Sequence, residues 1–102
     1  VIAYNEIFKV EGENSPLEIP LYGEEKGFDW DKYIHGTRKI IFENLHLFNY
    51  KITEKVLEID FLGKKGKKLG DKQEDIDKVF DFYEDIILEI RKDYIKNFAK
   101  TK

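Results

Sequence analysis

The 102-residue chain contains no cysteine, which excludes disulfide bonds, thiolate metal sites and cysteine nucleophiles. Serine occurs once, as Ser15 in a turn beside Pro16, and histidine twice, as His35 and His46. A serine hydrolase needs a hydroxyl, a base and an orienting acid, and the chain has no Gly-x-Ser-x-Gly motif. The eleven-residue separation of the histidines matches no usual metal-ligand spacing. We therefore expect no catalytic residue, no metal site, no cofactor and no enzymatic activity.

One enzymatic alternative stays open because carboxylates are abundant. A histidine and two carboxylates, or a pair of acids as in glycosidases, could converge only in the folded chain. A domain of this length rarely encloses a sugar-binding cleft, so this alternative ranks below a binding function.

Long apolar runs are also absent, and none approaches the roughly eighteen residues that a membrane span requires. Charged residues make up 38% of the chain, but eight Phe and six Tyr provide enough bulky apolar surface for a core and argue against disorder. The length corresponds to one domain over residues 1–102. We expect a soluble, cytoplasmic, acidic protein with no membrane partner.

The first part of the chain is predicted to be extended. Residues 1–10 mix β-forming and polar residues and lead into a turn that contains Pro16. Residues 17–22 are apolar but include Pro20, and a proline removes a backbone donor. The second segment is therefore predicted to be an edge strand or an extended loop.

Two further segments favour strands. Residues 56–62 alternate apolar Leu57, Ile59 and Phe61 with acids, which is typical of a half-buried strand. Residues 37–52 fit either a helical face or the two faces of a strand. We favour the strand for residues 37–52, with a helix as the alternative.

Residues 71–100 predict one long amphipathic helix. Asp71 followed by Glu74 resembles a capping box, and apolar residues then recur at steps of three and four. This apolar stripe needs a surface to cover it. The predicted fold class is therefore α+β, with an antiparallel sheet of three to four strands and the C-terminal helix packed on one face.

A glycine- and lysine-rich segment, residues 63–70, separates the predicted strands from the helix. Its composition predicts a loop. Its lysines could bind phosphate or nucleic acid, or they could simply keep the end of a strand solvated. The lysines concerned are Lys64, Lys65, Lys67 and Lys68.

The outer face of the predicted helix is unusually acidic. Residues 71–89 contain eight acids and two lysines. Asp77, Asp81 and Asp85 follow one another at four-residue steps, where like charges repel by a few tenths of a kcal/mol per pair. Helix stability alone does not explain them, so the face is interpreted either as a docking stripe for a basic partner or as a merely solvated surface.

Aromatic residues lie among acids in the connection before residue 36. Asp29, Trp30, Asp31 and Tyr33 form one such group. Trp and Tyr in a loop can anchor a partner, or they can close the end of a small core. Beside acids, such anchors would suit a target rich in Arg or Lys.

These features favour a non-catalytic binding protein that resembles an inhibitor, immunity protein or antitoxin in its mode of action and blocks a basic partner protein. The residues assigned to its partner-binding surface are Asp29, Trp30, Asp31, Tyr33, Asp77, Asp81, Glu84 and Asp85. The alternative is a module that binds nucleic acid or phosphate through Lys64, Lys65, Lys67 and Lys68. A homodimer formed through the helix or an edge strand is a further expectation.

Overall fold

The chain folds mainly into α-helices, as seen in a computed structural model that describes residues 2–97. The elements run in the order α1 (Ile2–Asn14), β1 (Leu17–Glu18), β2 (Gly27–Phe28), α2 (Trp30–His35), α3 (Thr37–Glu43), a 3-10 turn (Leu45–Leu47), α4 (Tyr50–Leu69) and α5 (Gln73–Asn97). Among these residues the sheet consists of β1 and β2 alone, paired antiparallel. The predicted α+β fold with three to four strands is therefore wrong. The ends of two predicted segments, Val1 and residues 98–100, lie outside the described residues.

Helix α1 replaces the strand predicted for residues 1–10. Its buried residues, Ala3, Tyr4 and Ile7, recur at helical steps and line one side of the helix. The Tyr4 hydroxyl donates a hydrogen bond to the Leu47 carbonyl oxygen at 3.1 Å, which ties α1 to the 3-10 turn. Residues with a preference for strands, such as Tyr4 and Ile7, therefore lie on the buried side of a helix in this segment.

Helix α4 replaces the strand predicted for residues 56–62. Its buried residues are Ile52, Val56 and Ile59, which are separated by steps of four and three. Leu57 and Phe61, which the alternating pattern placed beside Ile59 on one strand face, are instead 55% and 67% exposed. The buried residues of this segment therefore recur with the spacing of a helix and not with that of a strand.

The strand favoured for residues 37–52 is also wrong, and the helical alternative was closer. The segment contains α3, the 3-10 turn and the first turn of α4. Asn49 caps the N-terminus of α4, because its side-chain oxygen accepts hydrogen bonds from the backbone N–H groups of Lys51 and Ile52 at 2.9 and 3.3 Å.

The loop predicted for residues 63–70 is the C-terminal part of α4. Gly63 lies inside the helix against the Trp30 indole, where an added Cβ would come within 3.0 Å of the ring. The glycine therefore allows α2 to approach α4 closely. The helix ends at Gly70, which adopts φ +85° and donates its N–H to the Gly66 carbonyl oxygen at 2.8 Å.

The long C-terminal helix is present as α5, which begins at Gln73 rather than at Asp71. The Lys72 carbonyl oxygen accepts the N–H groups of Asp75 and Ile76, both at 3.0 Å. The apolar side of α5 packs on α4 and β2. The buried apolar residues of α5 are Val79, Phe80, Tyr83, Ile86, Ile87 and Ile90. No helix within residues 2–97 has both the length and the apolar content to cross a membrane.

Candidate functional site

The acids of α5 have bases from neighbouring elements beside them. The Asp81 carboxylate lies 3.7 Å from the Lys26 ammonium, and the Asp85 carboxylate lies 3.5 Å from that of Lys55. Asp81 and Asp85 nevertheless keep 66% and 55% of their side chains exposed. Repulsion between successive acids is therefore offset within the fold, while the carboxylates stay accessible.

The remaining acids of this region differ in their surroundings. Asp77 is half-buried and accepts a hydrogen bond from the Gln73 side-chain amide at 2.9 Å. Asp75 is buried and pairs with the Lys65 ammonium at 3.0 Å. Glu84 is exposed. Asp75 thus joins α5 to α4, whereas Glu84 faces solvent with Asp81 and Asp85.

An apolar loop tip, which the sequence did not single out, projects between β1 and β2. Ile19 and Leu21 are 74% and 65% exposed, and the Tyr22 side chain is fully exposed. Tyr22 also has φ +54°, a left-handed conformation that is uncommon for any residue other than glycine. The signal available in the sequence was the group of large apolar residues between Pro16 and Gly23, which looked like an edge strand.

The segment that follows the tip is fixed to α5. The Lys26 ammonium lies 4.9 Å from the centre of the Phe80 ring, in addition to its pairing with Asp81. The Lys26 carbonyl oxygen accepts a hydrogen bond from the Gln73 side chain at 2.9 Å. This anchoring sets the loop beside the acidic part of α5. We use the term acidic face for the loop tip, the exposed acids that follow it in the chain and the exposed acids of residues 74–85 in α5, namely Ile19, Leu21, Tyr22, Glu24, Glu25, Glu74, Asp81, Glu84 and Asp85.

The predicted aromatic group lies mostly against the core. Asp29 caps α2 by accepting the Lys32 N–H at 3.0 Å, and Asp31 is exposed. Trp30 is half-buried, with its ring centre 4.9 Å from that of Phe28. Tyr33 is fully buried. Tyr33 cannot contact a protein partner in this fold. Trp30 and Tyr33 line a cavity to which Asp77, Asp81, Glu84 and Asp85 do not contribute.

A cavity of about 380 Å³ lies between α2, α3 and α4. Its wall includes Trp30, Tyr33, Arg38, Asp60, Lys64 and Lys67. Arg38 and Asp60 form a two-pronged ion pair, in which the guanidinium nitrogens Nε and Nη2 lie 3.0 and 2.9 Å from the two carboxylate oxygens. This hydrogen bonding to Asp60 raises the pKa of Arg38, so the guanidinium stays charged.

The Tyr33 hydroxyl is buried, and no described residue forms a hydrogen bond with it. Burial raises the pKa of this hydroxyl well above its usual value, and the nearby Asp60 carboxylate raises it further. The group is therefore a neutral O–H donor at any physiological pH. A buried donor without an acceptor costs stability, which makes this hydroxyl unusual.

The four predicted lysines divide between different surroundings. Lys64 and Lys67 line the cavity. Lys65 instead pairs with Asp75, and Lys68 is exposed at the end of α4. Since residues 63–69 belong to α4, these lysines lie on a helix and not in the predicted loop.

We expect at least three of the six tyrosines to resist ionisation in the folded protein. Burial raises the pKa of Tyr4, Tyr33 and Tyr83, and for Tyr83 it outweighs the hydrogen bond with the Thr37 hydroxyl at 2.7 Å, which lowers the pKa. Because the same groups ionise near pH 10 once unfolded, their contribution to stability is complete below pH 10 and is lost as the pH rises beyond it.

The measurement is an alkaline titration followed by absorbance at 295 nm and by far-ultraviolet circular dichroism. Part of the tyrosinate signal should develop only as the helical signal disappears. Titration of all six tyrosines near pH 10 in a helical protein would contradict this expectation.

The two histidines lie in different elements, His35 in α2 and His46 in the 3-10 turn. His35 Nδ1 lies 2.9 Å from the Asp31 carbonyl oxygen, and His46 is exposed in the 3-10 turn. Across residues 2–97 the structure contains no group of three histidines or carboxylates with metal-binding geometry.

Comparisons of the chain with models of protein families, with curated proteins and with solved structures find no match. The chain itself offers two candidate sites, which are the acidic face and the cavity between α2, α3 and α4.

Proposed function

We propose that this protein is a non-catalytic binding protein that covers a basic surface of a partner protein with its acidic face, in the manner of an inhibitor, immunity protein or antitoxin. The observation that carries the proposal is the fully exposed Tyr22, which lies with the exposed Ile19 and Leu21 in the loop tip and is followed closely in the chain by the exposed Glu24 and Glu25. Protein interfaces combine a central aromatic or aliphatic anchor with a polar rim. The acidic face has both components.

The loop tip suits the role of anchor. Tyr22 and Gly23 both adopt positive φ, and the loop is closed by a hydrogen bond from the Glu24 N–H to the Leu21 carbonyl oxygen at 3.3 Å. Uncommon backbone conformations of this kind are concentrated at functional positions. A loop already held in one shape loses less entropy when a partner binds.

The acids suit a cationic target. Ion pairs between exposed side chains contribute about 0–1 kcal/mol, so an arginine of a partner could displace Lys26 from Asp81 or Lys55 from Asp85 at little cost. Exposed acids also accelerate encounter with a basic protein and make the rate sensitive to salt.

The test is capture of partners from a lysate at low salt, followed by affinity measurements with the purified partner. We expect a basic protein that is released by added salt. Tyr22→Ala should weaken its binding at least about 30-fold, as expected for an interface hot spot. The double charge reversal Glu74→Lys and Glu84→Lys should slow association and reduce its salt dependence.

Matched controls use residues away from the acidic face. Tyr50 on α4 is 69% exposed, and Glu43 on α3 is exposed. Tyr50→Ala and Glu43→Lys should leave the affinity unchanged. The proposal fails if no salt-sensitive partner is captured, or if the control variants weaken binding as much as the variants of the acidic face.

A further inference from the structure

We propose that the cavity between α2, α3 and α4 binds a small planar organic anion, with its ring against Trp30, its carboxylate or phosphate toward Lys64 and Lys67, and an oxygen atom accepting from the Tyr33 hydroxyl. This site is independent of the acidic face. It uses two of the predicted lysines, but for a small molecule held in a cavity.

The Tyr33 hydroxyl provides the first argument. Tyr33 is one of the residues that line the cavity, and its fully buried hydroxyl is the one buried side-chain oxygen or nitrogen in residues 2–97 that lacks a hydrogen-bond partner. Replacing the hydroxyl by hydrogen would remove an unsatisfied polar group from the interior. A ligand oxygen in the cavity would supply the missing acceptor and account for the presence of the hydroxyl.

The charge of the wall provides the second argument. Three cations, Arg38, Lys64 and Lys67, face the cavity, and Asp60 is its single carboxylate. Asp60 is already engaged by Arg38 through two nitrogens. Lys64 and Lys67 are three residues apart on α4, a spacing that sets two side chains on the same side of a helix. The wall therefore favours an anion.

Trp30 provides the third argument. The indole is half-buried, is held edge-on by Phe28, and rests on Gly63, where α4 has no side chain to displace it. A fixed aromatic ring at the wall of a cavity offers a surface on which a planar group can stack. The volume of about 380 Å³ lies at the lower end of the range for small-molecule sites, which is about 300–1,000 Å³.

The binding experiment uses Trp30 as its own reporter, because it is the only tryptophan of the chain. Phenyl phosphate and benzoate are titrated against the intact protein while the tryptophan emission is recorded. Benzyl alcohol and inorganic phosphate serve as the neutral ring and the bare anion. We expect a saturable change with the two aromatic anions and binding at least about tenfold weaker for each of the other two compounds.

Variants separate binding from folding. Tyr33→Phe should raise the Tm of the ligand-free protein, because it removes the unsatisfied hydroxyl, and should weaken phenyl phosphate binding about three- to tenfold. Lys64→Ala and Lys67→Ala should each weaken it at least about tenfold. Lys68→Ala, at the exposed end of α4, is the matched control and should leave it unchanged.

Three results would overturn the proposal. The first is an emission that no aromatic anion alters saturably. The second is equal loss of affinity in Lys68→Ala and Lys64→Ala. The third is a short single-stranded oligonucleotide that binds much more tightly than phenyl phosphate and depends on all four lysines, which would indicate a nucleic-acid surface instead.

Discussion

Ile59→Ala is expected to lower the free energy of unfolding by about 2–5 kcal/mol. Ile59 is fully buried at the centre of α4, where α4 packs on α5. Truncation to alanine removes apolar contacts and leaves a cavity that neighbouring helices cannot fully close. The measurement is urea-induced unfolding followed by circular dichroism at 222 nm.

Leu57→Ala is the matched control for this substitution. Leu57 is only two residues away but 55% exposed, so its truncation should cost less than about 1 kcal/mol. In a strand, Leu57 and Ile59 would share one face and the two substitutions would have similar effects. Equal destabilisation by both would therefore argue against the helical assignment of this segment.

Gly36→Ala is expected to destabilise the protein by about 1–3 kcal/mol. Gly36 joins α2 to α3, and an added Cβ would lie 2.6 Å from the Lys32 carbonyl oxygen and 3.2 Å from a methyl carbon of Val10. The closer of these atoms belongs to the backbone of α2 and cannot move without shifting that helix. The emission of Trp30 should therefore change together with the stability.

Gly12→Ala is the control for the glycine substitution. Gly12 lies in α1, and an added Cβ there would meet no atom within 4 Å. Since alanine favours a helix over glycine by up to about 1 kcal/mol, Gly12→Ala should raise the stability. If both glycine variants unfold at the same urea concentration, the close approach at Gly36 carries no energetic weight.

The sequence predicted α5 because its apolar pattern is long. Residues at steps of three and four continue over most of residues 73–97, and no other structure explains so extended a pattern. In α4 only Ile52, Val56 and Ile59 mark the buried side. The alternation of apolar and acidic residues at positions 57–61 was a stronger local signal than this short pattern and led to the wrong prediction of a strand. Tertiary packing of the segment as a helix overrides that local preference.

Glycine misled the sequence analysis for a different reason. Gly63 and Gly66 indicated a loop, since glycine weakens a helix by about 1 kcal/mol relative to alanine. At Gly63 that cost accompanies the close packing of the Trp30 ring on α4. The need for glycine at position 63 depends on Trp30, some thirty positions away in the chain, and cannot be inferred from local composition.

The two candidate sites differed in how far they could be predicted. The acids of α5 were visible as a run, whereas their pairing with Lys26 and Lys55 depends on tertiary contacts. The cavity joins residues of three helices, and none of the three was the favoured prediction for its segment. Helix α2 was predicted as part of a connection, α3 as a strand, and α4 as a strand followed by a loop. The one local signal was the spacing of Lys64 and Lys67, which is meaningful only on a helix.

The lengths of the helices that enclose the cavity have a consequence for how a ligand would act. Helices α2 and α3 contain six and seven residues, too few to be stable alone, whereas α4 and α5 form a long hairpin joined by residues 70–72. The cavity is therefore walled partly by segments that depend on docking for their structure. Binding of a ligand in the cavity would then be coupled to the local folding of α2 and α3. A bound ligand would stabilise the folded form of these two helices, and their local unfolding would weaken its binding.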